Sequence, residues 1–438
     1  MNVTTHASWM REPTATEEGV LGIRIMSDSP VARAIHIGLV LDTSGSMEGE
    51  RIAAVKRTLT VMIQRLQDGD KISVVGFSDV ATRLFMSHTL DATNRADSIK
   101  TVERLDADGG TNMEAGIVAL GEMFQGDDVK PNALVLLTDG QVNQGIVTTA
   151  GLASILRSYL PNVPVYTLGY GSDHNADLLR ALSARTQATY TYIDNEIALP
   201  ASIGDLLGGL QNEVASTSAV TFPVTGWKCL ELNPAEAGRY EAGSLIADKP
   251  SWVMFSVAFG SEARLSLHYT NSTTTRTSAR IPIVIGTELA ACDITDQYLR
   301  CKTARVLSDV TDLLKQDRLR EAKVLLTVCR DLLTNAVQTT LVIRMKAQVD
   351  ELYEEVVQSE NESPQRRRGV RSNIDAIAMR TSSTAQNYSA QRGVTGGGLH
   401  VDTIFSSPAM IRHRTRMVEQ YTQRAEDPDV VNSLRTIT

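Results

Sequence analysis

The apolar run Ile35–Leu41 leads directly into Asp42, Thr43, Ser44, Gly45 and Ser46, so oxygen-bearing side chains stand at alternate positions just past a strand-like stretch. Carboxylate and hydroxyl oxygens spaced in this way are suited to surround one small divalent cation. Donors this hard favour Mg²⁺, Mn²⁺ or Ca²⁺ over zinc or copper. Two later segments are candidates to complete the shell. Gly109–Gly110–Thr111–Asn112 offers Thr111, and Leu136–Leu137–Thr138–Asp139–Gly140 offers Asp139 at the end of another apolar run. Taken alone, Asp42–Ser46 also reads as a polar turn closing a strand. The two further segments, each in a strand or loop context, tip the reading to a metal site.

Something must bring these separated residues together, and the patterning from 35 to 212 supplies it. Continuous apolar runs at 35–41, 72–77, 133–137 and 163–168 suit parallel strands buried on both faces. Between the first two, Ile52, Val55, Leu59, Ile63 and Leu66 recur at three- and four-residue intervals, as on one face of a helix. Met113, Ile117, Leu120 and Phe124 repeat that spacing. Val80–Phe85 follows 72–77 too closely for a crossover and is expected to pair antiparallel at an edge. The expected fold is therefore α/β, a doubly wound, mostly parallel sheet flanked by helices. Its ligand site belongs at the carboxyl ends of strands where the winding reverses. No G-x-G-x-x-G follows the first strand, which argues against a dinucleotide site.

The set Asp42, Ser44, Ser46, Thr111 and Asp139 resembles the metal-ion-dependent adhesion site of the von Willebrand factor type A family, and the motifs stand intact across 35–212. The resemblance implies that Ser44, Ser46 and Thr111 touch the cation directly, while Asp42 and Asp139 act mostly through water. It also implies a protein partner whose Asp or Glu carboxylate completes the coordination. The rim would comprise Met47–Gly49, Ser78–Asp79, Asp106–Gly110 and Gln141–Gly145. The chain is similar to intracellular members of the family that carry an appended interaction module. Some of these bear a RING or U-box domain, but no Cys/His series here supports carrying that activity over.

Outside this domain the character changes. We expect a flexible amino terminus over 1–18 and a strand within 19–34 that pairs with a later β domain. Period-two alternation then suggests a β-sandwich-like domain at 213–292. A helical hairpin or small bundle is expected at 293–358, from the stripes Leu319, Ala322, Leu326, Cys329, Leu333 and Val342, Met345, Val349, Leu352, Val356. The segment 359–438, rich in Ser, Gln, Arg and Gly, is expected to form an extended tail, within which Thr403–Met410 and Met417–Val418 could dock on a neighbouring domain. Its basic run Arg366–Arg367–Arg368 with Arg371 reads as a solvated linker.

With 438 residues the chain exceeds one core, and its net charge of −8 opposes a general nucleic-acid role. No apolar stretch is long enough for a membrane span, and the amino terminus lacks a secretory core. The four cysteines form no C-x-x-C pair and read as reduced thiols. A cytoplasmic protein is the simplest expectation.

A hydrolase would need a base beside the metal. Asp42 and Asp139 are occupied in holding ligands, and Asp79, Glu48 and Asp108 read as solvated rim carboxylates. His36, His88, His174, His268, His400 and His413 form no constellation, and no motif supplies Ser44 with a His and Asp partner. We therefore expect a non-enzymatic, cation-dependent protein-binding or scaffold module of unknown oligomeric state. The alternatives are a substrate-recruiting component of a ubiquitin-ligase or other regulatory complex, and a scaffold whose metal merely stabilises the fold.

Overall fold

A computed structural model describes residues 3–27, 34–125, 130–171, 174–186, 188–193, 198–232, 235–262, 264–271, 278–286, 289–361 and 408–425, with 374, 377–379, 381 and 384 between the last two. These residues fall into two compact units. One is drawn from Met1–Val31 and Asn212–Val394, the other from Ala32–Gln211 and Pro408–Thr438.

In chain order, the first unit opens with β1 (Val3–Arg11) and β2 (Gly19–Ser27). The chain then builds the second unit: β3 (His36–Asp42), α1 (Glu50–Arg65), β4 (Lys71–Phe77), β5 (Ala81–Thr89), α2 (Arg95–Glu103), α3 (Met113–Glu122), β6 (Ala133–Thr138), α4 (Thr149–Tyr159), β7 (Val165–Tyr170), α5 (Ala176–Ala184), β8 (Tyr190–Ile193) and α6 (Ala198–Gln211). It returns to the first unit through β9 (Glu213–Thr221), β10 (Trp227–Cys229), β11 (Arg239–Glu241), β12 (Leu245–Ile246), β13 (Ser251–Val257), β14 (Leu265–Asn271), β15 (Ser278–Ile283), α7 (Ala291–Lys315), α8 (Leu319–Thr334) and α9 (Thr340–Asn361). A last described helix, α10 (Pro408–Ala425), belongs to the second unit.

The second unit is a sheet in the order β5-β4-β3-β6-β7-β8, with helices on both faces. Every neighbouring pair is parallel except β4 with β5, which is antiparallel. The expected doubly wound α/β fold is what the chain adopts. Both faces of β3 are covered. Ile37, Leu39 and Leu41 join a core with Val55, Leu59 and Ile63 of α1, and Val40 on the opposite face is equally buried. That double burial explains why these strands read as continuous apolar runs. The starts of α3, α4 and α5 are each fixed by a side-chain cap, from Asn112 to Ala115 N, Thr148 to Gly151 N and Asn175 to Leu178 N. From β3 the chain moves to β4 on one side and later to β6 on the other, so the winding reverses between the ends of β3 and β6.

The first unit is antiparallel. One sheet has the order β1-β2-β13-β10 and the other β11-β9-β14-β15, with β12 on β9. Leu21, Ile23, Val253 and Phe255 from the first sheet share a core with Val220, Leu265 and Leu267 from the second. In α7–α9, Leu326, Cys329 and Leu333 pack with Val342, Met345 and Val349. Within this unit, Arg300 of α7 makes a bidentate pair with Glu231 at 2.7 and 2.9 Å, and both side chains are fully buried. Gln297 accepts from the third guanidinium nitrogen at 2.7 Å.

Two expectations require correction. The stretch 1–18 is not simply flexible, because Val3–Arg11 is a strand in register with β2, with Val3 and Ala7 buried. Its polar residues obscured it, since one face of an edge strand meets solvent. Nor is the tail wholly extended. Pro408–Ala425 is a helix whose Met410, Met417 and Tyr421 are buried, and Ile374, Ile377 and Ala378 join the core of α7–α9. The docking of Met410 and Met417 agrees with the sequence, but the helical form was concealed because its apolar stripe is thinly spread among arginines. The basic run at 366–371 and the glycines at 396–398 lie outside the described residues. No helix among the described residues is long and apolar enough to cross a membrane.

Candidate metal centre

Asp42 closes β3 and Asp139 follows β6, at the two strand ends flanking the reversal of winding. Both are fully buried. Asp42 Oδ1 accepts the Ser44 backbone N–H at 2.8 Å, and Oδ2 accepts the Thr138 hydroxyl. Burial raises the Asp42 carboxyl above the usual carboxylate range, and these hydrogen bonds pull it back toward the ionised form. Past Asp42 the chain runs into a short 3₁₀ turn, Gly45–Met47, which points Ser44 and Ser46 to the same side. Their hydroxyls share a hydrogen bond at 3.0 Å, and Ser46 Oγ donates to Asp139 Oδ1 at 2.7 Å.

Thr111 arrives from a third loop held by backbone bonds. Gly45 N donates to Gly109 O at 3.0 Å, Asp108 N to Thr43 O at 2.9 Å, and Asn112 N to Ser78 O at 2.8 Å. Thr111 N donates to Asn143 Oδ1 at 3.0 Å, and Asn143 N returns a bond to Thr111 O at 3.2 Å. The glycine pair is demanded by geometry. Gly109 has φ of 80°, and a Cβ on Gly110 would fall 2.8 Å from Asp79 Oδ1 and 2.5 Å from Gln144 Nε2.

A Cβ on Gly140 would sit 3.5 Å from Ser46 Oγ and 3.7 Å from Thr111 Oγ1. The two hydroxyls therefore stand together on one side of Gly140. Four predicted residues, Ser44, Ser46, Thr111 and Asp139, thus converge on one spot, with Asp42 supporting it from behind. The donor set is all oxygen, two carboxylates and three hydroxyls, which fits a hard divalent cation.

Three contributors escaped the sequence reading. Thr138 stands in the quoted Thr-Asp-Gly segment, yet its bond to Asp42 has no spacing signature. Asp79 is no free rim carboxylate, since it accepts Gly110 N at 2.9 Å and the Gln144 amide. Arg51, from the first turn of α1, forms an ion pair with Asp139 Oδ2. His174, just past the end of β7, is engaged with Tyr190 and Gly171 O at 2.8 and 2.7 Å, while His36 opens β3 at the end opposite Asp42 and bonds Ser73 Oγ at 2.9 Å.

Residues 36–204 match the family model for the von Willebrand factor type A domain. This segment is a von Willebrand factor type A domain. The chain is similar in structure to a von Willebrand factor type A protein from Catenulispora acidiphila, with TM-score 0.64 and 17% identity over 91% of this chain and 97% of that one. It is also similar to the ArnB paralog VWA2 from Sulfolobus acidocaldarius, with TM-score 0.51 and 17% identity over 89% and 98% of the two chains. At such identities these likenesses speak for the fold alone. An uncharacterized protein of Synechocystis is 31% identical over 186 residues, covering 42% of this chain and 43% of that protein. Human inter-alpha-trypsin inhibitor heavy chain H6 is 26% identical over 194 residues, covering 41% and 14%. The chain spans less than half the length of these curated relatives. Von Willebrand factor type A domains often mediate protein interactions and often bind a divalent metal.

Proposed function

We propose that the von Willebrand factor type A domain of this chain is a cation-dependent, non-catalytic protein-binding module. A divalent ion such as Mg²⁺, held by Ser44, Ser46 and Thr111 with Asp42 and Asp139 behind, would supply a positive charge with an exchangeable position that attracts a carboxylate. The observation that carries this reading is the placement of the Ser46 and Thr111 hydroxyls together beside Gly140, next to buried Asp139. The protein's own part is preorganisation. Thr138 and the Ser44 N–H hold Asp42 in place, Asn143 holds Thr111, and Gly109–Gly110 lets the loops approach closely.

The partner implied is a protein presenting an Asp or Glu side chain. Its carboxylate must be guided by the surrounding loops as well, because Mg²⁺ sheds its inner waters reluctantly. Neutral hydroxyls facing the ion leave it more charge to offer a partner than a shell of carboxylates would.

Isothermal titration of the full chain with MgCl₂ and MnCl₂, for the natural sequence and for Thr111→Ala, tests the metal. Uptake that falls at least about tenfold in the variant supports the reading, and no uptake by the natural sequence ends it. Affinity capture with and without chelator then tests the partner. Proteins released by chelator are expected. If capture is unchanged while chelator lowers the melting temperature, the ion is a structural pin instead.

A further inference from the structure

We propose that Arg51 is a built-in counter-cation of this site, whose guanidinium on Asp139 weakens the hold on a divalent ion and so sets its affinity. The inference rests on the reading of the five oxygens as a cation site. Asp139 is fully buried and both its oxygens are engaged: Oδ1 accepts Ser46 Oγ at 2.7 Å, and Oδ2 pairs with Arg51 Nη1. The same nitrogen donates to the Ser46 carbonyl at 3.3 Å, so the guanidinium is tied to the loop carrying two of the hydroxyls. Its Nη2 lies 3.3 Å from where a Cβ on Gly171 would stand, in the turn after β7. The side chain is 31% exposed, so it reaches both the buried carboxylate and solvent.

An ion entering beside Asp139 meets a carboxylate whose charge is already shared and a fixed positive charge close by. Each lowers its affinity, and at separations of a few ångströms the repulsion is large even with strong screening. The same pairing protects the empty site. When the ion leaves, Asp139 is not stranded as an unpaired buried charge, because Arg51 remains on it. A site built in this way loads and unloads with cation supply, whereas the oxygens without the arginine would favour permanent retention.

The test is titration of the full chain with MgCl₂ and MnCl₂ for the natural sequence, Arg51→Gln, Arg51→Met and Arg51→Lys, with melting curves in chelator and in excess Mg²⁺. Two charge-removing variants guard against one failing to fold, and the glutamine keeps an amide donor for Asp139. Removing the charge is expected to tighten Mg²⁺ binding by about tenfold or more, with Arg51→Lys close to the natural sequence. The charge-removing variants should also melt lower in chelator and regain most of the difference with Mg²⁺. Equal or weaker binding in those variants, with the natural sequence binding normally, overturns the role of Arg51 and leaves the metal site standing. Absence of uptake in every protein, with melting indifferent to Mg²⁺, overturns the metal site itself and this role with it.

Discussion

Ser46 Oγ donates to Asp139 Oδ1 at 2.7 Å across 93 residues of sequence. That bond joins the loop after β3 to the loop after β6, and Ser46 makes it from an exposed position. Ser46→Ala is therefore expected to lower divalent affinity by about tenfold or more and to cost about 1–3 kcal/mol of stability, because it leaves the buried Asp139 Oδ1 without this donor. Calorimetry paired with urea unfolding reads both. Asp42→Ala should cost more, since Asp42 is fully buried and its loss leaves both the Thr138 O–H and the Ser44 N–H without their acceptor, at about 1–3 kcal/mol each.

The Glu231–Arg300 pair is wholly buried, so breaking it strands a charge. Arg300→Ala is expected to destabilise the first unit by about 3–5 kcal/mol. The double replacement Glu231→Leu with Arg300→Met should recover most of that loss, as apolar substitutes for a buried pair often do. Denaturant curves for both proteins decide it, and a double variant no more stable than the single one would contradict this account.

Helix α10 lies against α6 with almost no space between backbones. A Cβ on Gly204 would fall 2.7 Å from Arg414 Cα, and one on Gly208 would fall 2.6 Å from Met410 Cα. Alanine is favoured over glycine inside a helix by about 1 kcal/mol, but forced overpacking costs about 1–3 kcal/mol, so the clash should win. Gly204→Ala is expected to loosen α10, seen as faster hydrogen exchange across Pro408–Ala425 and earlier proteolysis there. A stabilised protein would mean the two helices are not so closely apposed.

Burial, with Arg416, Arg65 and Arg412 nearby, holds the His413 imidazole below its ordinary pKa. The folded chain therefore binds fewer protons than the unfolded one between the depressed value and about 6.5. Stability from this group is full above that window and is lost as pH falls through it. Unfolding midpoints should drop from pH 7 to 5 more steeply in the natural chain than in His413→Leu. The difference between the two curves isolates His413 from buried carboxyls such as Asp70, whose raised pKa acts with the opposite sign.

All four cysteines are free, yet they differ in access. Cys301 and Cys329 are buried, Cys229 is half-buried with its thiol pushed up to about 12, and Cys292 is exposed. Since the thiolate is the reactive form, native labelling at pH 8 should give about one fast equivalent per chain, at Cys292. Cys292→Ser should abolish it.

The α/β core was legible because the physics there is local, whereas the grouping of Thr111 and Asp139 with Asp42, Ser44 and Ser46 rested on the resemblance to a known family and not on spacing. Strands buried on both faces must be continuously apolar, as at Ile35–Leu41, and hydroxyl and carboxylate donors at a strand's end must alternate to face one point. β1 was missed because Thr4, His6 and Ser8 on an edge strand look like any polar terminus, and its strand character depends on pairing with β2. Met410, Met417 and Tyr421 of α10 were hard to weigh amid arginines until α6 supplied a surface for them. Arg51 left no trace at all. A charged residue opening a helix is ordinary, and its meaning depends on a carboxylate 88 residues later.

The pairing of β2 with β13 imposes an order on folding. An apolar strand, Val20–Ile25, emerges from the ribosome and must then wait for the entire α/β unit to be made before Ser251–Val257 arrives to cover it. The inserted unit can form its own sheet in that interval, although α10, which packs on α6, is made later still. The sandwich cannot, and its waiting strand is an exposed edge during that interval. That open edge is where strand-to-strand association with other chains would begin.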